Sequence, residues 1–298
     1  MNNVVSKGTT TSVQGRPGGP LRANCEVLAY RKIGGYHSLT FVTPEIAEHA
    51  QPGQFVSIGV QGHETTLRRP FSIYSVSRHG HWAGTVEIIF DVVGPGTEWL
   101  ATRSKHDLVD VVGPLGKPFP MPAQRVSALL VGGGYGAAPL LYLGHELVQA
   151  GHRVDMLMGA ATADRIFNSI EAKRLSASSQ FTTEDGSLGT QGLVTDVMPK
   201  MMDAGRTDVV YACGPMAMLA AVSDVAAEYQ IPCQVAVEEE MACGTGVCWT
   251  CVLPYRRRDG MVNLRACTEG PVFNGARVAW DAVGTRAMSA PVTGPGTA

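Results

Sequence analysis

The sequence lacks any marked charge imbalance: 24 Lys and Arg stand against 26 Asp and Glu among 298 residues. A net charge of -2 leaves no electrostatic footprint for nucleic acid or for anionic lipid. An apolar core of signal-peptide length is missing from the first twenty residues, MNNVVSKGTTTSVQGRPGGP, which read as a disordered tail. Internal repeats are absent. The stretch Val126 to Gly144 carries no charge, but a glycine cluster followed by Ala-Ala-Pro fills its middle, and such a segment would pack poorly as a membrane helix. A soluble, cytoplasmic protein is expected, with no nucleic-acid and no membrane partner. Disorder throughout is excluded by a hydrophobic fraction of 45% and a mean hydropathy of +0.04, enough for a sizeable core. The length points to two or three domains. Thirty-five glycines and seven cysteines are the abundant features, and an odd cysteine count in a chain this long argues for a reduced compartment rather than a disulfide scaffold.

The texture of the chain changes twice. From Ala23 to about Pro122, segments such as Gln54 to Ile58 and Thr85 to Phe90 alternate between Gly and Pro turns, which predicts a small antiparallel barrel. A short helix fits Gly96 to Arg103. Val126 to Val131 then reads as a buried parallel strand, and Leu140, Leu143, Leu147 and Val148 recur at helical spacing up to a stop at Gly151. Further strands at Val154 to Met158 and Asp208 to Ala212, with a helix over Met216 to Tyr229, predict a doubly wound α/β domain. The expected fold is therefore α/β plus β: a tail at 1–22, a β-barrel domain at 23–122, an α/β domain at 123–232, a cysteine-bearing loop subdomain at 233–284 and a loose tail at 285–298.

Four of the cysteines, Cys243, Cys248, Cys251 and Cys267, follow the pattern C-x4-C-x2-C-x15-C. The first two intervals match the plant-type [2Fe–2S] spacing. A loop around such a cluster brings its backbone close to the sulfides, and Gly244 and Gly246 remove side chains that would block this. A structural zinc site is the alternative, although it favours C-x2-C pairs at both ends. Cys25 and Cys233 read as buried or free thiols, and His63, His79 and His81 as surface histidines.

Other motifs point to nucleotides. Arg69-Pro70-Phe71-Ser72 places a guanidinium, able to grip a pyrophosphate, beside polar donors for a planar ring. Gly94-Pro95-Gly96-Thr97 offers free N–H groups at a helix start. Gly132-Gly133-Gly134-Tyr135-Gly136 sits between an apolar strand and a helix, the context of a pyrophosphate-binding turn, although its spacing is not G-x-G-x-x-G. Cys213-Gly214-Pro215 follows a later strand at the sheet edge where open α/β folds bind ligands. Thr183 to Ser187 holds Glu184 and Asp185, which could accept from ribose hydroxyls or form a solvated turn.

Barrel, α/β domain and four-cysteine loop, in that order, resemble the ferredoxin-reductase-like flavoproteins. The segments EEEMACGTGVCWTCVLP and RACTEGPVF narrow this. They are similar to the electron-transfer (PyrK-type) subunit of class 1B dihydroorotate dehydrogenase, and the resemblance spans about Ala23 to Val283. It implies FAD on Arg69, Pro70, Phe71 and Ser72, on a second strand at Ile89, Phe90 and Asp91, and on Gly96 and Thr97. It implies NAD at the glycine turn and at Cys213, Gly214 and Pro215, and a [2Fe–2S] cluster on the four cysteines. Two departures stand out: Phe71 replaces a tyrosine common in the wider superfamily, and Arg78 to Gly84 lengthens a hairpin. The resemblance further implies an FMN-containing catalytic partner, in a heterotetramer of two copies of each subunit, whose electrons cross the cluster and FAD to NAD⁺ in pyrimidine biosynthesis. No nucleophile or acid–base pair is evident, so no catalytic side chain is expected. A sulfide dehydrogenase, hydrogenase or ferredoxin:NADP⁺ oxidoreductase subunit, or a zinc-stabilised interaction module, are the competing readings.

Overall fold

The computed structural model describes residues 14–15, 19–60 and 67–284; His63, most of the first expected tail and all of the second lie outside them. The first body is the barrel. Its strands are β1 (Gln14–Gly15), β2 (Leu21–Ile33), β3 (Tyr36–Val42), β4 (Phe55–Gly59), β5 (Arg69–Ser77), β6 (Thr85–Phe90) and β7 (Leu108–Leu115). Two short helices, α1 (Pro44–His49) and α2 (Pro95–Ala101), interrupt them. The antiparallel order β2-β3-β6-β5-β4-β7 closes through a β2–β7 pairing, so β2 to β7 leave no free edge. Alternation drives the closure: Ala23, Cys25 and Val27 of β2 and Val109, Val111 and Leu115 of β7 point inward, while Asn24 and Glu26 between them face water. Gln14–Gly15 pairs with Leu21–Arg22, which corrects the expectation of a disordered tail reaching residue 22.

β6 does not alternate. Every one of its six residues is buried: Val86, Ile88 and Phe90 lie in the barrel core, Glu87 is covered by Arg31, Ser38 and Ser75 of the barrel, and Ile89 meets the second body. Tyr36, Tyr74 and Ile89 from the barrel share one apolar cluster with Leu140, Leu143 and Met158.

That second body is an α/β sandwich of β8 (Ser127–Gly133), α3 (Ala137–Gln149), β9 (Arg153–Ala160), α4 (Ser169–Leu175), β10 (Ser178–Thr183), β11 (Thr190–Gln191), α5 (Val194–Gly205), β12 (Val209–Cys213), α6 (Met216–Glu228) and β13 (Cys233–Ala236). The chain then forms the hairpin β14 (Val252–Arg257) and β15 (Gly260–Arg265) before β16 (Val272–Asn274). Sheet order is β11-β10-β9-β8-β12-β13-β16, parallel except for β16. The order reverses between β8 and β12, and in such sheets ligands bind in the crevice at the carboxyl ends of the two strands there. Leu140, Leu143 and Leu147 pack inward as expected, but Val148 is 43% exposed.

β13 and β16 alter the expected division at residue 232. Cys233 to Ala236 is an interior strand of the α/β sheet, and Val272–Asn274 returns as its antiparallel edge. The cysteine segment is thus an excursion between two strands of that sheet. Four- and three-residue strands carry too little periodicity for the sequence to betray them. No helix among the described residues is long and apolar enough to cross a membrane.

Polar contacts fasten the two bodies around Glu171 of α4. Tyr74 donates to it at 2.7 Å, His145 of α3 lies 2.8 Å away, and Asn168 completes the group. The hydrogen bond to Glu171 raises the His145 pKa against the opposing effect of burial. The His145 hydrogen bond, against desolvation, holds Glu171 low. The pair therefore stabilises the fold above the ordinary carboxylate pKa, about 4.3, and below the ordinary histidine pKa, about 6.5, and is lost as pH rises through the raised value of His145. The histidine side chain is 51% exposed, so water screens the gain to about 1 kcal/mol or less. Melting curves should show His145→Gln lowering Tm by up to about 3 °C near pH 5.5 and leaving it unchanged near pH 9. Equal losses at both pH values would contradict the ion pair.

Candidate cofactor sites

A cavity of about 350 Å³ opens where barrel, α/β body and cysteine segment meet. β5 brings Arg69, Pro70, Phe71 and Ser72 to its wall, and the end of β6 adds Ile89, Phe90 and Asp91. Pro70 is compatible with β5 because it pairs only at the start of the strand, opposite Ser57. Phe71 rests on Phe90, ring centroids 5.8 Å apart, so the residue that replaces a tyrosine is held by packing rather than by a hydroxyl. Thr97 also lines the cavity; its Oγ1 accepts from the Val93 and Gly94 N–H groups and pins the entrance of α2. Gly96 does not line the cavity, but a Cβ there would lie 2.9 Å from Arg69 Nε. Glycine therefore lets the guanidinium lie against the start of α2, where an anion is favoured. This constellation fits FAD.

Arg68, one residue before the motif, supports it. Its guanidinium donates to the Ser57 and Asp110 carbonyls and to the Asp110 carboxylate, tying the start of β5 to β4 and β7. Among the described residues the neighbouring Arg69 makes a single side-chain hydrogen bond, to the Leu67 carbonyl.

On the other side of the cavity stand Tyr135 and Gly136 of the glycine turn, with Cys213 opposite. Gly132, Gly133, Gly134, Gly214 and Pro215 do not reach the wall and serve close packing. A Cβ on Gly132 would meet Ala137 at 2.8 Å, and one on Gly133 would meet Met218 Sδ at 2.7 Å. A Cβ on Gly136 would fall 2.7 Å from Gly214 Cα and 2.8 Å from the Cys213 carbonyl oxygen. The turns after β8 and β12 thus touch backbone to backbone, the close approach that a dinucleotide crevice needs. Glu238, Glu239, Glu240 and Met241 complete the wall, and burial raises the Glu238 pKa. In sequence these glutamates are a run of charge, which resembles a solvated face and carries no site signal of its own. Arg165, which no motif marks, reaches from the α/β body to Asp91 at 2.5 Å and lies over Tyr36. Glu184 and Asp185 follow β10 and are exposed; Asp185 accepts from the Ser187 N–H and hydroxyl.

The cysteine loop turns through Gly244 at φ +69° and Gly246 at φ +82°. Three backbone N–H groups, from Thr245, Val247 and Cys248, point at Cys243 Sγ at 3.3–3.5 Å. Partial burial opposes ionisation of Cys243, but those N–H groups and the Cys248 thiol outweigh it and lower the pKa to about 6. Cys251 and Cys267 form a second, buried pair, and the Cys267 N–H points at Cys251 Sγ at 3.4 Å. Burial pushes the Cys267 thiol up to about 12. Among the described residues no three potential ligands converge closely enough to hold a single ion. Two thiol pairs, one open and one buried, suit a two-iron cluster with two thiolates per iron better than one tetrahedral zinc. Arg265 braces the loop: it donates to the Gly246 carbonyl at 2.9 Å, pairs with Glu269 at 2.6 Å and lies 4.8 Å over the Trp249 ring.

Barrel, nucleotide crevice and cluster loop together define a ferredoxin-reductase-like oxidoreductase. A chain from the structure of NADH-dependent reduced ferredoxin-NADP oxidoreductase superposes with a TM-score of 0.75 at 32% identity, covering 86% of this chain and 90% of that one. An oxidoreductase NAD-binding domain matches residues 130–224, and the iron–sulfur cluster binding domain of dihydroorotate dehydrogenase B matches 238–279. The dihydroorotate dehydrogenase B (NAD(+)) electron transfer subunit of Desulforamulus reducens is 37% identical over 260 residues, 87% of this chain and 98% of its own length. That of Listeria monocytogenes serovar 1/2a is 36% identical, with 87% and 99% covered. The chain belongs to the family of dihydroorotate dehydrogenase B electron transfer subunits.

Proposed function

We propose that this chain carries electrons from the FMN of a separate dihydroorotate-oxidising subunit to NAD⁺ in pyrimidine (UMP) synthesis in the cytoplasm, in a heterotetramer of two copies of each subunit. When bound, FAD exchanges electrons in pairs with a nicotinamide and singly with a [2Fe–2S] cluster, so the two together supply a two-to-one conversion. The carrying observation is a shared wall. Phe55 lines the cavity, and its Cε2 lies 3.7 Å from where a Cβ on Gly244 would stand, so the cluster loop rests on the outside of the flavin site.

Within this reading Arg69 and the start of α2 hold the FAD pyrophosphate, while Phe71, Ser72, Ile89, Phe90 and Asp91 border its ring. Gly136, Cys213 and the packing glycines behind them shape the NAD crevice. Glu184 and Asp185 disfavour a 2′-phosphate by charge and so favour NADH over NADPH. Cys243, Cys248, Cys251 and Cys267 ligate the cluster, and the N–H groups aimed at Cys243 offset its negative charge. Val247 and Trp249 on the same loop are 78% and 43% exposed, an apolar tip suited to meeting the catalytic subunit. No side chain here is assigned to the oxidation of dihydroorotate. The purified chain should therefore reduce artificial acceptors with NADH but convert dihydroorotate only after an FMN-containing catalytic subunit is added and co-purifies. Dihydroorotate turnover by the chain alone would sink the proposal.

A further inference from the structure

A second concavity, a groove of about 690 Å³, lies beside the cluster loop between the β14–β15 hairpin, β16 and the segment 117–120. Its charge is lopsided. Lys117, Arg257, Arg258 and Arg277 line it, all four exposed, and their side chains have no hydrogen-bond or ion-pair partner among the described residues. The acids in the groove are Asp259 and Glu269. Glu269 is spent: Arg265 contacts it through its backbone N–H and through two guanidinium nitrogens. Four free cations therefore face one free carboxylate in a chain whose overall charge is -2. Neither residues 1–13 nor 285–298 contain Asp or Glu, so no acidic stretch from those ends is available to fill the groove.

We propose that this groove docks an acidic segment of the catalytic subunit, seating the cluster loop against that partner. The inference rests on the electron-transfer reading above and adds where the partner is gripped. The groove is an open trough, with its cations spread along the hairpin end and the far wall. That shape suits an extended acidic chain better than a small anion, which calls for a concave site burying most of its surface. Groove and cluster are also mechanically linked, because Glu269 on the groove side anchors Arg265, and Arg265 holds Gly246 and Trp249 of the cluster loop.

The test compares the cofactor-loaded chain with Arg257→Glu/Arg258→Glu, and with Arg174→Glu/Arg206→Glu as a control of equal charge change elsewhere on the surface. Association with the catalytic subunit is followed at low and high salt. The hairpin variant should associate about tenfold more slowly at low salt and lose most of that deficit at high salt. Its NADH-to-acceptor activity and visible absorbance should match those of the parent, and the control should bind normally. Parental association by the hairpin variant would overturn the inference. So would an equal loss in the control, or self-association of the parent chain that the hairpin variant abolishes. If the parent chain itself fails to bind the catalytic subunit, the electron-transfer reading falls first and this one with it.

Discussion

Cys248→Ser should cost the protein its iron and leave much of its flavin in place. Cys248 is the exposed member of the open thiol pair and is proposed here as a ligand; among the described residues its Sγ is hydrogen-bonded to the Thr250 hydroxyl and paired with Cys243. A serine hydroxyl there is a poor ligand for iron at neutral pH, and the loop has no spare thiol to replace it: Cys25, Cys213 and Cys233 are buried in the barrel or the α/β sheet. The side chains proposed to hold the flavin come from β5, β6 and α2, whereas Cys248 is exposed. The broad visible absorbance of the cluster should vanish while flavin peaks persist. Dihydroorotate-dependent reduction of NAD⁺ by the reconstituted complex should drop more than about 100-fold, beyond what loss of a merely supporting group costs, whereas NADH-to-acceptor activity should survive. Unchanged iron content in the variant would overturn the ligand assignment.

The second large effect is expected at Gly136. An added methyl would lie 2.7 Å from Gly214 Cα and 2.8 Å from both the Gly214 nitrogen and the Cys213 carbonyl oxygen. All three are backbone atoms, so no rotamer change relieves the contact and the turns after β8 and β12 must separate. Overpacking of this kind costs about 1–3 kcal/mol, which melting should show as a lower Tm. A displacement of several tenths of an ångström in the crevice should also lower kcat/KM for NADH by about 10- to 100-fold. Iron content should stay at the parental level, because the cysteine loop does not include the turn, and flavin should stay bound through Arg69 to Ser72 and Ile89 to Asp91 on the opposite wall of the shared cavity. Parental NADH kinetics in Gly136→Ala would show that the nicotinamide nucleotide binds elsewhere.

What the sequence disclosed was set by how far each signal depends on local chemistry. The cysteine spacing and the glycines within it describe a loop complete in itself, and its two left-handed glycines sit at Gly244 and Gly246. Arg69 to Ser72 and Ile89 to Asp91 are strand segments with local character, and the cavity brings them together. Features that depend on distant parts of the chain stayed hidden. β16 is three residues long and exists because β13 offers it an edge. Glu238 to Glu240 carry three consecutive charges with no local mark of burial, yet the meeting of barrel and α/β sheet turns them into a cavity wall. Arg165 lies 74 residues from Asp91 in sequence, and nothing near either residue announces the pairing. The glycine turn divides between these cases: its place between strand and helix was legible, but only the packing reveals that Gly132 and Gly133 serve the helix–strand contact while Gly136 reaches the cavity.

The central claim, that one chain joins a flavin, a two-iron cluster and a nicotinamide site, is tested most directly by anaerobic titration of the purified protein with NADH, with metal analysis on the same sample. The account predicts a coloured protein with flavin peaks over broad iron–sulfur absorbance, both bleached by NADH, and iron bound in place of zinc. A colourless protein carrying zinc, or one whose absorbance ignores NADH, would contradict it.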